Sequence, residues 1–270
     1  ESVLSEDECA LLIAATDREQ ARGLGKLRAG GNVELTDGAH LGRVEVDDLL
    51  HSAQEAEVFR AHTVDHPKLA PGLAQLVGGQ PQRTDPAGPL GCRVFTTAPH
   101  PRRADPAFRS VLRDAAKMNW HRGIRPRWGT KPATQQGHLI TNWCNSCIFL
   151  TDVSGADDGG TMVLSGSHLL DVQGTADGEP PPAVDGLAIA GTVPSWPEAL
   201  ARHEQVRCRR GSVLHFTEAL IHAGNAVLSD RTRYALFFEV TAPGLDRRIG
   251  WRPPHLPTPW TLDLRGVPSL

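Results

Sequence analysis

Nowhere does this chain carry a run of apolar residues approaching the roughly 18 that a membrane span requires, so no transmembrane segment is expected. Its start, Glu1-Ser2-Val3-Leu4, lacks the basic-then-apolar profile of a signal peptide, and without an initiating Met it reads as a trimmed N-terminus. Neither sign of charge is in strong excess. With 28 basic and 31 acidic residues and a net charge of −3, nothing global points to a nucleic acid partner, and a soluble cytoplasmic protein is expected. Cysteine is scarce as well. Cys9, Cys92, Cys144, Cys147 and Cys208 make an odd count in a chain long enough to fold without cross-links, which argues against a disulfide framework. Cys144 and Cys147 have the spacing of half a zinc site, but no second such pair or His cluster completes it. Trp143 and Ile148-Phe149-Leu150 around them read as a core strand. There is no internal repeat and no low-complexity tract. The last absence is chemical: none of the twelve histidines is followed two positions later by Asp or Glu.

What is present suits one globular domain. In 270 residues, 40% hydrophobic content is enough for a full core. Ser5-Glu6-Asp7-Glu8 is a capping box ahead of an apolar run from Cys9 to Ala15, which predicts a helix that stops near Gly23. A second helical region, interrupted at Pro67 and Pro71, is expected from about Asp47 to Val77. Beyond it the texture changes to short β-rich runs separated by Gly, Pro and Asp turns: Cys92 to Thr97, His138 to Trp143, Cys147 to Val153, Thr161 to Leu164, Ser212 to Phe216 and Tyr234 to Thr241. One helix, about Pro106 to Met118, interrupts them. Helices leading into many short strands predict a mainly β fold with flanking helices, closed as a double-stranded β-helix, a cupin-like jelly roll. The expected organisation is a helical buttress over about 1–90, a jelly-roll core over about 91–243, and a Pro- and Gly-rich lid-like insertion over about 171–205.

Within the β-rich part, Gly159-Gly160-Thr161-Met162-Val163-Leu164-Ser165-Gly166-Ser167-His168 resembles the Gly-Gly to Pro-Gly-Ser-His turn of the phytanoyl-CoA dioxygenase-like iron(II)/2-oxoglutarate oxygenases. Arg210-Gly211-Ser212-Val213-Leu214-His215-Phe216 resembles the Gly-Asp strand of that family, and Glu218 to His222 resembles the strand end that supplies its distal iron ligand. Ser165 stands where the family has Pro, and Ser212 where it has Asp. The resemblance implies a jelly roll that binds Fe(II), 2-oxoglutarate and O2. It implies His121 and His222 as the iron-binding pair, separated by a family-like 101 residues. Arg233, eleven residues past His222, would grip the distal carboxylate of 2-oxoglutarate as a bidentate fork, with Arg231 as the fallback on the same strand face.

Iron(II) that must accept 2-oxoglutarate and dioxygen has room for three protein ligands, usually two imidazoles and one carboxylate. Here Gly123 occupies the place of the carboxylate. In the halogenases of this superfamily Gly or Ala stands there and chloride binds iron instead, restoring the lost ligand and the lost negative charge. The sequence leaves alternatives open. His138 could be the first ligand, with Ile140 in the carboxylate position. An acid from elsewhere, Asp105, Asp114, Asp152 or Glu218, could complete a hydroxylase site for a small metabolite. A non-catalytic cupin-like binding module is the reading outside the enzymes. His168 and His215 read as structural.

From Lys117 to Lys131 the chain carries Lys117, Arg122, Arg125, Arg127 and Lys131 without an acid. A solvated face is one reading. The other is a clamp for an anionic small-molecule substrate, with Trp120 and Trp128 stacking on a base. A small chain with a His-x-Gly site is similar to the nucleotide halogenases of chlorinated nucleoside antibiotic pathways, which act on the sugar of deoxyadenosine monophosphate (dAMP).

Overall fold

The computed structural model describes residues 2–27, 43–47, 49–50, 53–77, 82–83, 92–115, 118, 120–121, 133–135, 138–140, 143–167, 200–217, 220–241, 245–246, 250–251 and 262–263. Helix α1 (Glu6–Ala21) begins at Ser5, whose hydroxyl accepts from the Glu8 amide at 3.2 Å while the Glu8 carboxylate accepts from the Ser5 amide at 2.7 Å. Two of the amides that a helix start leaves unpaired are thereby satisfied. The chain leaves the helix through Gly23 at φ +90, a left-handed conformation that suits glycine. Helices α2 (Ala56–Ala61) and α3 (Ala70–Val77) follow. Pro71 does not interrupt α3. It lies in the first turn, where a missing amide costs nothing. Helix α4 (Pro106–Arg113) is capped by Asp105, which accepts from the amides of Ala107 and Phe108, and it ends before the expected Met118 because Asp114 turns to extended backbone.

The main sheet has the order β1 (Gly25–Leu27), β2 (Arg43–Val46), β4 (Arg93–Thr97), β12 (Arg233–Thr241), β7 (Trp143–Phe149) and β10 (Val213–Thr217), with β3 (Gln82–Arg83) paired to the far end of β12. A second sheet runs β11 (His222–Gly224), β8 (Thr161–Leu164), β9 (His203–Gln205). Strands β5 (Ala133–Gln135) and β6 (His138–Ile140) pair with β15 (Leu262–Asp263), and β13 (Leu245–Asp246) pairs with β14 (Gly250–Trp251). Every pairing is antiparallel, and the architecture is the expected jelly roll. The first 90 residues are not purely helical: Arg43-Val44-Glu45-Val46 alternates with period two and joins the main sheet beside β4. Of the expected lid, residues 171–199 lie outside the described residues, and its end, His203–Gln205, is the edge strand β9.

Strand alternation sorts the main sheet into two chemically distinct faces. Val46, Val94, Cys144, Ile148, Leu150, Leu236, Phe238 and Val240 lie with Leu4, Cys9, Leu12 and Phe59 in one buried cluster, so the helices cover the outer face. The opposite face carries Arg43 and Glu45 on β2, Arg93, Phe95 and Thr97 on β4, and Arg233, Phe237 and Glu239 on β12. Cys144 and Cys147, three residues apart on β7, fall on opposite faces and into different apolar clusters, as core packing requires. All five cysteines are free thiols. No described helix is long and apolar enough to cross a membrane.

Candidate metal centre

His121 and His222 come together across an antiparallel bridge. Each donates its backbone amide to the other's carbonyl, at 3.0 Å and 2.9 Å. Residues that exchange both bonds stand directly opposite and project their side chains to the same face. The two imidazole centres are 4.4 Å apart with the rings inclined at 56°. His222 heads β11, opposite Val163 of β8, and the Gly-Ser-His turn beyond β8 reaches back to hold it: the Ser167 hydroxyl accepts from the Ile221 amide at 2.8 Å. The Gly159-Gly160 pair ahead of β8 is needed for space. A Cβ on Gly160 would lie 2.7 Å from Val153 Cγ1, and Gly159 adopts φ +69 against the Ala226 backbone.

The surroundings keep His222 neutral and oriented. Its Nδ1 donates to the Leu220 carbonyl at 2.9 Å, which leaves Nε2 with a free lone pair, the usual arrangement of a metal-binding histidine. Burial, followed by the neighbouring His121, pushes its pKa down to about 3. Phe216 packs edge-on against the ring at 4.8 Å between centres. On the facing sheet, Arg233 is 5% exposed. Its Nη2 donates to the Thr97 hydroxyl at 3.5 Å, and its Nε is buried without a partner among the described residues. A buried guanidinium held this loosely is costly to fold around unless an anion joins it.

These residues fit iron and 2-oxoglutarate. With metal–nitrogen distances of about 2 Å, imidazoles at adjacent vertices of one ion have their ring centres about 4.5 Å apart, close to the observed separation. The orphaned Nε of Arg233 supplies a donor for a carboxylate. Among the described residues, no group of three or more His, Cys, Asp or Glu side chains could hold a metal ion, so no acid joins the pair there. Two of the acids weighed from the sequence are engaged elsewhere. Asp105 caps α4, and Asp152 accepts from the Arg210 amide at 2.8 Å. Asp114 stands beside Arg109 and Arg113 at the end of α4. Glu218 lies outside the described residues.

The other expected site residues divide in the same way. Gly123, Lys117, Arg122, Arg125, Arg127, Lys131 and Trp128 lie outside the described residues, as does His168. His138 is in β6, paired with Asp263 and Gln135. Arg231 is exposed and held by Asp158 at 3.0 Å, whereas Arg233 is buried on the inner face of the main sheet. Trp120 is a correction. It is 7% exposed in a cluster with Met118, Met162, Leu164 and Ile221, and its indole nitrogen donates to the Ala115 carbonyl at 2.7 Å, so packing rather than base stacking accounts for it. His215 bonds Ser146 through Nδ1 at 2.8 Å and is a satisfied structural histidine. Sequence reading missed Arg43 and Thr97. The register aligns them with Arg233 across β2, β4 and β12, and their only signal was charge alternating with valine at Arg43-Val44-Glu45-Val46.

A jelly roll with two opposed imidazoles and a buried arginine on the facing sheet defines the iron(II)/2-oxoglutarate-dependent oxygenases. Residues 1–235 match the phytanoyl-CoA dioxygenase (PhyH) family, and the chain belongs to it. No curated protein matches it in sequence. Among solved structures it is similar to HygX from Streptomyces hygroscopicus with nickel, 2-oxoglutarate and hygromycin B bound, at 16% identity and a TM-score of 0.55, covering 98% of this chain and 88% of that one. It is also similar to AviO1 from Streptomyces viridochromogenes Tue57, at 18% identity and a TM-score of 0.55 over 91% and 89% of the two chains. The epimerase SnoN, in complex with Fe3+, alpha ketoglutarate and nogalamycin RO, aligns at 18% identity and a TM-score of 0.57 over 90% and 77%.

Proposed function

We propose that this chain is an iron(II)/2-oxoglutarate-dependent halogenase of natural-product biosynthesis, chlorinating an unactivated C–H of a small anionic substrate in the cytoplasm. The observation that carries this reading is the opposed pair His121 and His222, which no acid joins among the described residues, together with glycine at position 123. His121 and His222 hold the iron, and Gly123 leaves the third protein-side vertex to chloride. Arg233, with Thr97 beside it, holds the distal carboxylate of 2-oxoglutarate. Bound iron with 2-oxoglutarate and O2 supplies the oxidant that removes a substrate hydrogen. The apolar wall of Phe216 and Phe149 keeps that side of the centre dry. The chain's own part in the outcome is positional: it must hold the substrate carbon nearer the halide than the competing oxygen ligand. That HygX was solved with hygromycin B bound and SnoN in complex with nogalamycin RO favours a natural-product substrate. The basic run from Lys117 to Lys131 favours an anion, and the sugar of dAMP is the first substrate to test.

The test is a product assay. Purified protein loaded with Fe(II) is incubated with 2-oxoglutarate, O2 and dAMP in chloride and then in bromide, with mass spectrometry reading the halogen isotope pattern. A halogenated product that follows the halide supplied is expected. A product carrying only a new hydroxyl, the same in either halide, removes halogenation and leaves a hydroxylase.

A further inference from the structure

We propose that Asp158 and Arg231 form a clasp that sets the gap between the two sheets and thereby the length of 2-oxo acid the centre accepts, an inference that rests on the iron and 2-oxoglutarate reading. His222 lies in the second sheet and Arg233 in the main sheet. A 2-oxo acid bound to the metal at one end and to Arg233 at the other must reach from one sheet to the other. Its length is therefore read by the distance between them. Two of the chain's crossings between the sheets are the segment from β7 to β8, residues 150–160, and the segment from β11 to β12, residues 225–232. The second joins the strand headed by His222 to the strand headed by Arg233.

The two crossings are fastened side by side. The Asp157 carbonyl accepts from the amides of Leu228 and Ser229, at 2.7 Å and 2.9 Å. At Gly159 they approach so closely that a Cβ would lie 2.7 Å from Val227 Cγ2 and 3.0 Å from the Ala226 carbonyl oxygen. Asp158 is the fixed point: it is 7% exposed, and its Oδ2 accepts from the amides of Ser154 and Gly155, each at 2.8 Å. Its Oδ1 accepts from Arg231 Nη2 at 3.0 Å. One carboxylate thus shapes the first crossing with one oxygen and holds the second with the other, two residues before Arg233. A cavity of about 220 Å³ lined by Asp158, Arg231, Thr232 and Arg233 lies alongside, so the start of β12 has room to shift once the clasp is cut. Arg231 is exposed, and an ion pair with one exposed partner contributes little to stability. Its effect is on position. Asp158 and Arg231 are positioning residues that act through Arg233.

The experiment measures the affinity of the anaerobic Fe(II) protein for 2-oxoglutarate and for 2-oxoadipate, one methylene longer, from the metal-to-ligand charge-transfer band. The wild type is expected to prefer 2-oxoglutarate about ten- to two-hundredfold, the range that one methylene commands in a fitted site. Asp158→Asn leaves an oxygen for the two turn amides but turns an NH2 toward Arg231, and Arg231→Gln removes the guanidinium from the other side. In each the preference is expected to fall to a few-fold, with the double variant no lower than the singles, and Arg231→Lys is expected to keep part of it. Fe(II) affinity without a 2-oxo acid, read by calorimetry, stays unchanged, because His121 and His222 are bonded to each other through the backbone. A merely structural role would weaken both acids alike and leave their ratio where it was. An unchanged ratio in Arg231→Gln, whose exposed side chain can be replaced without unfolding the chain, or a loss of Fe(II) affinity overturns the clasp. So does a wild type that binds both acids equally, which leaves the iron and 2-oxoglutarate reading standing. A wild type with no band takes both readings down.

Discussion

Arg233 stands directly opposite Thr97 in the register between β4 and β12, and its Nη2 donates to the Thr97 hydroxyl at 3.5 Å while its Nε has no partner among the described residues. A cation so placed is costly to bury without an anion beside it. Arg233→Met is expected to weaken 2-oxoglutarate binding about ten- to a hundredfold, the value of a charge-assisted bidentate contact. Thermal stability should hold or rise, because removing a loosely satisfied buried charge relieves its desolvation cost. Titration of the charge-transfer band and a melting curve read the two effects. A large drop in melting temperature would make Arg233 a structural residue.

Acidification should destabilise the metal-free protein through His222. Its pKa of about 3 lies below the ordinary 6.5, so the unfolded chain binds the proton first as pH falls. Stability from this group is therefore fully present above about pH 6.5 and is lost between there and pH 3, at up to ~1.4 kcal/mol per pH unit. Urea denaturation of the wild type and His222→Gln at pH 7 and pH 5 should show the steeper loss in the wild type. Equal losses would mean that His222 is not held neutral by the fold.

Placing a carboxylate at position 123 tests the proposed halogenase. On that proposal, Gly123→Asp should abolish chlorination while retaining iron and 2-oxoglutarate binding, because the new side chain would supply the ligand and the charge assigned to chloride. Mass spectrometry of products and the charge-transfer band measure both. Chlorination that persists in this variant places the halide elsewhere.

Gly211 connects the resemblance to stability. It adopts φ +79, its carbonyl accepts from the amides of Val3 and Leu4, and a Cβ would lie 2.0 Å from the Leu4 carbonyl oxygen. Gly211→Ala should cost about 2–4 kcal/mol, from backbone strain and from displacing the segment that leads into α1. Chemical denaturation measures it, and a loss below 1 kcal/mol would show that the N-terminal segment moves aside freely.

Local order was readable from the residues in sequence. Ser5 and Glu8 announce α1, Asp105 and Pro106 announce α4, and the β-rich runs at Arg93–Thr97, Thr161–Leu164 and Arg233–Thr241 appear as strands close to where they were expected. Capping and periodicity act over a few positions, so they can be read without knowing the fold. Pro71 and Trp120 were misjudged because their roles depend on neighbours: a helix that starts just before the proline, and a pocket of Met118, Met162 and Ile221 that takes up the indole.

The choice of histidines followed from kinship with an oxygenase family, and composition alone does not separate His121 from the other eleven. That His121 and His222 face one another across 101 residues and that Arg43 shares a row with Arg233 are matters of strand register, whereas Arg231 precedes β12 and is held by Asp158. Register is set by how the two sheets bury their apolar faces, and a shift of one residue would send each of these side chains to the opposite face. Side-chain chemistry and local punctuation are written along the chain, whereas the meeting of distant residues exists only once the sheets have packed.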